Sequence, residues 1–588
     1  MKNKCFLFGS LVFVALLNSC KKDTFDGRVQ DQDQRVILQQ DAQALQARVS
    51  HSNVGLVGFK GRVATVRFRS GFSANATQET PEFSLALIAE VLPPTVEGKL
   101  LRATHVAVAD NFAYVSYNTE GDTYLGGVDV IDISDVNNPI LKVNAQLPHV
   151  DISAITVDGS DLLMAGAADV DYISEVKTPA FGAFLPLQAG LPTMEYQLTS
   201  LPGQVATDLT VDATHKYIVT GNNGVLAKVN KFTHLVEKQI AVPALLSVTH
   251  NANHIVALSA SEGILVFDKG LEQLRNISSE TNDSESKRTI ELYGDYVLAT
   301  EGQKGLGIYN YSTGALYQRL AVPTVEEGGE GLSPEDLATI AVSTNGDRMF
   351  VASGGAGVAA YRFGDNAQID FLGNVNLKTI GEGSNNYVLS KGNHVFVASG
   401  KGGLKILKMI ELKPETPTCN GTYPAYTGNT QYDLNVNEAA SYSDSKMFLA
   451  NININRNFDW CGSLQVNGTA NVNGGSIFNM YGSLMIVKDL NVNATMNING
   501  ASTVNGKIAI NGGATLAVNG SLSQGSSGNA NSFHVNGTMK VDGEVVIYGD
   551  LTINGGGKIE FANSNSKVTV YGKLTNWGTV VNGSVTKI

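Results

Sequence analysis

Positive charge is scarce in this chain, and the shortage disfavours one large class of partner. The 588 residues carry 42 Lys and Arg against 54 Asp and Glu, which gives a net charge of −12. From Cys419 onward there are nine basic and nine acidic side chains, so the C-terminal part is neutral and the acidity lies upstream. Nucleic acid is therefore disfavoured as a partner, because neutralising phosphates requires an excess of Lys and Arg.

The N-terminal apolar run is too short to span a bilayer. It covers residues 6–17, follows Lys2 and Lys4, and leads into Leu17-Asn18-Ser19-Cys20. A basic start followed by such a run predicts a signal peptide over residues 1–19. The Leu-x-Ser-Cys sequence resembles the lipobox of bacterial lipoproteins. The resemblance implies cleavage before Cys20 and acylation of that cysteine, hence an anchor in the outer membrane, on a surface-exposed or periplasmic protein. The alternative is a plain secretory signal with an incidental cysteine.

Cysteine is also scarce, with four in the chain. Two lie in the leader region, and Cys419 and Cys461 remain. In an exported chain these two predict a structural disulfide that caps the start of the C-terminal part. A zinc site would need two further ligands, and no paired Cys or His lies nearby in the sequence.

The C-terminal part, residues 419–588, alternates apolar and polar residues without reversing turns. The stretch VNGTMKVDGEVVIYGDLTING starts at Val535 and places glycine every six residues. Alternation predicts strands, yet it continues for longer than one strand, so the chain must bend without exchanging its inner and outer rows. Glycine on the inward side suits such corners. These features predict a β-solenoid of about seven coils of about 18 residues, interrupted by turn-rich insertions at 521–532 and 562–567.

The outward positions of these coils are rich in Asn, which predicts amide ladders between coils. In its periodicity the region resembles hexapeptide-repeat and bactofilin-type β-helices. The resemblance implies a solenoid fold, and self-association of the chain through that solenoid is a further expectation.

Residues 82–413 contain seven related units of short strands separated by Gly, Asn and Asp turns, which predicts a seven-bladed β-propeller. The last unit lacks its fourth strand, since GGLKILKMIEL runs into KPETPTC. Residues 82–93 form an isolated apolar strand, which we expect to close the seventh blade, because a closed ring removes exposed edges. Residues 20–81 are expected to be a polar tether, and residues 414–418 a Pro-rich linker at which the two domains meet.

The segment GGVDVIDISDVNNP resembles the LVIVD-repeat family of extracellular propellers. The matching residues are Val128, Val130, Ile131, Asp132, Ile133, Ser134 and Pro139. The resemblance is strongest in this unit and implies a fold more than an activity.

Several short motifs could carry chemistry, but each also has a structural interpretation. His250 and His254 form His-x₃-His, yet the repeat alignment places them in a strand–turn–strand. The sequence GGAGVAA (354–360) lies between two strands with no helix after it, which disfavours a dinucleotide site. Glu326, Glu327 and Glu330, with Glu335 and Asp336, are weak candidate Ca²⁺ ligands, although a solvated linker is favoured there. Asp129, Asp132 and Asp135 are assigned to the turn chemistry of the repeat.

The sequence thus predicts an all-β, lipid-anchored cell-envelope protein that displays or binds protein or glycan ligands without catalysis. We predict no catalytic residues and no cofactor, and the sequence lacks the G-x-S-x-G motif of many esterases. The first alternative is a lyase or hydrolase with an active site on the propeller axis, and the second is a self-assembling structural protein of the envelope. A His/Glu cluster on the axis would favour the enzyme.

Overall fold

The protein is all-β, with a seven-bladed propeller followed by a β-solenoid. The computed structural model describes residues 35–60, 82–121, 123–283, 286–324, 332–364, 368–377, 384–412, 419–529 and 531–588. None of the helices in these ranges has the length and apolar character needed to cross a membrane.

The chain starts with short elements that lie outside the regular blades. They are β1 (Ile37–Gln39), α1 (Ala42–Gln46), β2 (Val49–Ser50), β3 (Gly55–Val57) and β4 (Phe59–Lys60), followed by β5 (Phe83–Val91), β6 (Thr95–Val96) and β7 (Lys99–Leu100).

The first four blades follow. Blade 1 has β8 (Arg102–Ala109), β9 (Phe112–Asn118), β10 (Leu125–Asp132) and β11 (Ile140–Pro148), and blade 2 has β12 (Val150–Asp158), β13 (Asp161–Ala168), β14 (Ala180–Gln188), β15 (Leu191–Pro192) and β16 (Gln197–Ser200). Blade 3 has β17 (Ala206–Val211), β18 (His215–Thr220), β19 (Val225–Asn230) and β20 (Val236–Ala241), and blade 4 has β21 (Leu245–His250), β22 (His254–Ser259), β23 (Gly263–Asp268) and β24 (Gln273–Ile277).

The last three blades complete the ring. Blade 5 has β25 (Ile290–Tyr293), β26 (Tyr296–Thr300), β27 (Leu306–Asn310) and β28 (Leu316–Leu320). Blade 6 has the 3₁₀ turn Pro334–Asp336 before β29 (Ala341–Asn345), β30 (Arg348–Ala352), β31 (Val358–Phe363) and β32 (Ile369–Val375), and blade 7 has β33 (Tyr387–Lys391), β34 (His394–Ala398) and β35 (Leu404–Glu411). Each inner strand packs against the next, and β33 packs against β8.

The fourth strand of blade 7 comes from the N-terminal end of the propeller sequence. Residues 82–93, expected from the sequence to close this blade, contain β5, which pairs antiparallel with β35 from Phe83 opposite Glu411 to Val91 opposite Leu404. All nine residues of β5 are buried. The ring is therefore held shut by a ladder between segments that lie far apart in the sequence.

The expected polar tether needs correction for residues 35–60. Strand β1 adds to the outer edge of blade 1, β2 and β3 pair with β5, and β4 pairs with β32 of blade 6. Val36, Leu45, Val54 and Leu56 are buried. This segment is rich in polar residues because one side faces solvent, while a few apolar residues bind it to the propeller. Residues 20–34 and 61–81 lie outside the described residues.

The solenoid is built from parallel strands stacked coil on coil. Its strands are β36 (Leu434–Val436), β37 (Ala440–Phe448), β38 (Ile452–Ile454), β39 (Phe458–Val466), β40 (Ala470–Val472), β41 (Ile477–Ile486), β42 (Leu490–Val492), β43 (Thr495–Asn499), β44 (Ala501–Val504), β45 (Ile508–Ile510), β46 (Thr515–Val518), β47 (Ser521–Gln524), β48 (Ser532–Val535), β49 (Thr538–Val541), β50 (Glu544–Ile547), β51 (Asp550–Ile553), β52 (Lys558–Phe561), β53 (Lys567–Val570), β54 (Leu574–Asn576), β55 (Thr579–Val581) and β56 (Val585–Lys587). One face has eight strands in the order β36-β38-β40-β42-β45-β48-β51-β54, so there are about eight turns rather than the seven expected.

The predicted alternation is seen in the coils. Val541 is fully buried and the adjacent Asp542 is exposed. The outward amides form ladders, with Asn453 donating to Asn435, Asn471 to Asn453 and Asn491 to Asn471 at 2.9 Å in each case.

The glycines lie at the bends between strands, as expected. A Cβ on Gly543 would lie 1.9 Å from the carbonyl oxygen of Gly520 in the preceding coil, whereas Gly555 lies in an exposed turn. At the bend between β49 and β50, the backbones of neighbouring coils thus approach too closely for residue 543 to carry a Cβ.

The two domains pack against each other, contrary to the expectation of a meeting at the Pro-rich linker alone. Val546, Tyr548 and Tyr571 of the solenoid join one buried apolar cluster with residues of blades 1 and 7 and of the N-terminal segment. The Tyr571 hydroxyl donates to the carbonyl oxygen of Asn137 at 3.1 Å. We call this contact the domain junction. Residues 413–418 lie outside the described residues.

Candidate functional site: a basin beside the propeller axis

A cavity of about 850 Å³ opens where the chain enters the inner strands of blades 5, 6 and 7. We call it the axial basin. Its described lining residues are Asn282, Asp283, Ser286, Lys287, Arg288, Glu301, Gly302, Gln303, Lys304, Leu332, Asp336, Ala338, Ile340, Gly354, Gly355, Ser384 and Asn386. Loops between rigid strands are a common position for binding residues, because the strands fix where each loop begins and ends.

Backbone bulges in two inner strands free carbonyl oxygens that Lys287, a lining residue of the basin, can use. In blades 1 and 2 the inner-strand ladder shifts between Ala103 and His105 and between Ile152 and Ala154. The residues skipped by the ladder, Thr104 and Ser153, therefore have carbonyl oxygens available for other donors.

Lys287 uses both of these carbonyls. Its Nζ donates to the oxygens of Thr104 and Ser153 at 2.8 Å each, so a side chain that starts just before β25 in blade 5 reaches across to blades 1 and 2. The same Nζ lies 5.2 Å from the centroid of the Tyr387 ring, on which His105 stacks at 3.6 Å. Lys287 thus reaches across the propeller axis from blade 5 to blades 1 and 2.

The axis also carries two carboxylates, and both are held by hydrogen bonds. Asp208 accepts from the Ser247 hydroxyl at 2.5 Å and from the N–H of Val248 at 3.1 Å. Glu291 accepts from the N–H of Thr344 at 3.0 Å and from its hydroxyl at 2.5 Å. These bonds tie neighbouring blades together, from blade 3 to blade 4 and from blade 5 to blade 6.

Burial shifts the pKa values of three side chains near the propeller axis. Burial lowers the pKa of Lys287 to about 8, although Asp208 opposes the shift. Burial raises the pKa of Glu291 to about 7, against the effect of the Thr344 hydrogen bonds. Burial and the charge of Lys287 hold the pKa of His105 well below its usual value. These directions follow from moving a charge into a low-dielectric environment.

Three charged wall residues, Asp283, Arg288 and Glu301, are paired within the chain. Arg288 lies 3.6 Å from Asp283, and the Arg319 Nε donates to Glu301 at 2.7 Å. The Tyr309 hydroxyl also donates to Glu301, at 2.5 Å. With these charges paired, Asn282, Gln303 and Ser384 contribute exposed amide and hydroxyl groups to the opening.

Of the residues singled out in the sequence, Asp336, Gly354 and Gly355 line the axial basin, whereas the two histidines lie elsewhere. His250 ends β21 and His254 begins β22, so they sit across a turn, and His250 Nδ1 is 2.7 Å from the Thr210 hydroxyl. Within the described ranges, no group of three or more His, Cys, Asp or Glu side chains could hold a metal ion. Cys20, Glu326, Glu327 and Glu330 lie outside the described residues.

The Gly-rich motif, Asp132 and Asp135 lie at or beside turns between strands, and the two remaining cysteines are paired. GGAGVAA joins β30 to β31 with no helix after it. Asp132 and Asp135 accept from the N–H groups of Ser134 and Asn137 at 3.0 and 3.2 Å. Cys419 and Cys461 form a disulfide at the start of the solenoid, with Cα atoms 5.8 Å apart.

Asp129 does not belong to a turn. It lies inside β10, is fully buried and accepts a bidentate pair of hydrogen bonds from Arg48. The Tyr117 hydroxyl and the Asn144 amide also donate to it, at 2.7 and 2.9 Å. Neither this network nor the role of Lys287 could be predicted from the sequence, since both depend on contacts between residues far apart in the chain.

Solved WD40-repeat structures are among those similar to this chain. No family model matches the chain, and no curated protein matches it. The crystal structure of the RRP9 WD40 repeats is 12% identical with a TM-score of 0.41, over 54% of this chain and 99% of that one. The WD40 β-propeller domain of Doa1 is 10% identical with a TM-score of 0.40, over 56% and 97%. U3-55K is 12% identical with a TM-score of 0.40, over 54% and 98%.

Proposed function

We propose that this protein is a lipid-anchored, non-catalytic binding module of the cell envelope, with the axial basin as its ligand site. The observation that carries the proposal is the basin itself. Its volume of about 850 Å³ is in the range of small-ligand pockets, and rigid inner strands fix the loops around it.

Glycans are the ligand class that the lining supports best. Asn282, Gln303 and Asn386 offer amides, and Ser286 and Ser384 offer hydroxyls. Amides both donate and accept hydrogen bonds, which suits the vicinal hydroxyl groups of a sugar. The charged wall residues Asp283, Arg288 and Glu301 already have partners, so they contribute shape more than net charge.

The axial carboxylates bear on the enzyme alternative. His105, Asp208 and Glu291 on the axis are the kind of cluster that would favour it. However, Asp208 and Glu291 already accept hydrogen bonds from Ser247 and Thr344, which supports a role in holding the blades. We therefore place binding first.

The lipid anchor is supported by the sequence Leu17-Asn18-Ser19-Cys20, which resembles a lipobox. The Cys419–Cys461 disulfide agrees with export, because disulfides persist in oxidising compartments. We expect Cys20→Ala to move the protein from the membrane fraction to the soluble fraction and to abolish metabolic palmitate labelling. A wild-type chain that takes up no palmitate would contradict the anchor.

The ligand class is tested with a soluble form that starts after Cys20. A glycan array and a pull-down from envelope extract should both be run with this form. Saturable binding to a defined set of glycans supports the proposal. Capture of a protein alone, with no glycan bound, overturns the glycan assignment and makes a protein the ligand.

A further inference from the structure

Lys287 differs in its position from two other lysines that the structure describes. Lys287 is one of the residues that line the axial basin, and its Nζ donates to two backbone carbonyls at 2.8 Å each. A neutral amine in this arrangement uses its two N–H bonds on Thr104 and Ser153 and keeps its lone pair free.

Two other lysines allow the effect of burial to be distinguished from the effect of access to the basin. Lys304 lines the same basin but is exposed. Lys216 is 5% exposed, lies 2.8 Å from His234 Nδ1 and does not line the basin. Lys287 combines enclosure with access to a cavity, whereas each of the other two has only one of these properties.

We propose that Lys287 binds an aldehyde-bearing ligand covalently, as an imine formed with the open-chain aldehyde at the reducing end of a sugar. The amine nitrogen attacks the carbonyl carbon and forms the C–N bond. The carbonyl oxygen leaves as water with the two hydrogens of the amine, and a C=N bond remains. The step needs no oxidant or reductant, and hydrolysis reverses it. This inference rests on the proposed function, because it requires a ligand in the axial basin.

The surroundings favour this reaction at Lys287. Burial lowers the pKa of the amine to about 8, so about a tenth of it is neutral and nucleophilic near pH 7. Tyr387 and His105 lie beside the amine and exclude water from one side of it. The hydroxyl and amide groups of the basin can hold the rest of a polyhydroxylated ligand.

The test uses the full soluble protein with glyceraldehyde as the probe and sodium cyanoborohydride to reduce the imine. Peptide mass mapping then measures the adduct at each lysine. We expect Lys287 to be labelled faster than Lys304 and Lys216, by about tenfold or more. Lys287→Arg, which keeps a cation for the two carbonyls, should remove this adduct and leave the labelling of the other lysines unchanged.

Each outcome decides a different point. Burial lowers the pKa of Lys216 to about 8 as well. Equal labelling of Lys216 and Lys287 therefore overturns the inference, because a lowered pKa alone would then explain reactivity. Glycan binding to the array without an adduct at Lys287 overturns the covalent step and leaves the proposed function standing. Absence of both glycan binding and the adduct overturns both.

Discussion

Ser527 donates its backbone N–H to the carbonyl oxygen of Leu56 at 2.8 Å, although 471 positions of sequence numbering separate them. In return, the N–H of Leu56 donates to the oxygen of Gly525 at 2.8 Å. Leu56 is therefore an extended residue between β5 of the propeller and the 525–529 loop of the solenoid. The N-terminal segment thus helps to join the two domains, together with the direct contact between Tyr571 and Asn137.

We expect a charged side chain at position 56 to disrupt the packing of the propeller against the solenoid at the domain junction. Leu56 is 1% exposed, so Leu56→Asp buries a carboxylate without a partner, which costs several kcal/mol. We expect calorimetry to show a lower first melting transition and separation of the propeller and solenoid transitions. Leu100→Asp is the matched control, since Leu100 is 47% exposed and should tolerate the change. Identical melting of the two variants would contradict the junction.

The solenoid register predicts opposite effects at two adjacent residues. Val541→Asp places a carboxylate in the core and should lower the free energy of unfolding by about 3 kcal/mol or more. Asp542→Val loses the hydrogen bond from Asn563 at an exposed site and should cost about 1 kcal/mol or less. Denaturant unfolding of the full chain measures both. A larger loss for Asp542→Val would show that the inward and outward rows are exchanged.

Arg48 and Asp129 should depend on each other. Arg48→Met leaves the fully buried Asp129 without its cation, and we expect a loss of about 3–5 kcal/mol in the free energy of unfolding. Replacing both residues, as Arg48→Met with Asp129→Leu, removes the stranded charge and should recover part of that loss. Urea unfolding of the two single variants and the double variant measures the coupling. Additive losses would mean that the pair is not coupled.

Glu291 should make stability fall as the pH rises. Burial raises its pKa from 4.5 to about 7, so between these values the folded state keeps a proton that the unfolded state has lost. Its contribution is fully present below the unfolded pKa and is lost as the pH rises through the folded pKa, with an upper bound of about 3 kcal/mol. Glu291→Gln cannot titrate. The free energy of unfolding of the variant, relative to wild type, should therefore increase from about pH 5 to about pH 8. A difference that does not change with pH would contradict the assignment.

The repeated parts of the fold could be predicted from sequence because their patterns are local. The inner and outer rows of the solenoid alternate residue by residue, so Val541 and Asp542 could be assigned without a partner. The propeller could be recognised because each unit repeats its strands and Gly or Asn turns, such as Gly346 between β29 and β30, with φ of +63°.

The features that position the candidate site could not be predicted in this way. Lys287 finds its partners only because bulges at Thr104 and Ser153 release two carbonyls in other blades. Arg48 and Leu56 lie in a mostly polar segment, and nothing in their immediate sequence indicates Asp129 or Ser527 as a partner. These contacts form only when the ring closes. Predicting them therefore requires residues from distant parts of the chain.

The most direct test of the central claim is a calorimetric titration of an array-identified glycan into the soluble protein and two tryptophan variants. Ser384→Trp fills the opening of the axial basin, while Ala252→Trp fills a pocket at the opposite ends of the inner strands of blades 3 and 4, and both replaced residues are exposed. If the glycan binds in the axial basin, Ser384→Trp weakens binding by about tenfold or more, about 1.4 kcal/mol, and Ala252→Trp binds like wild type. Unchanged binding by Ser384→Trp, or loss of binding in Ala252→Trp alone, would contradict the assignment of the ligand to the axial basin.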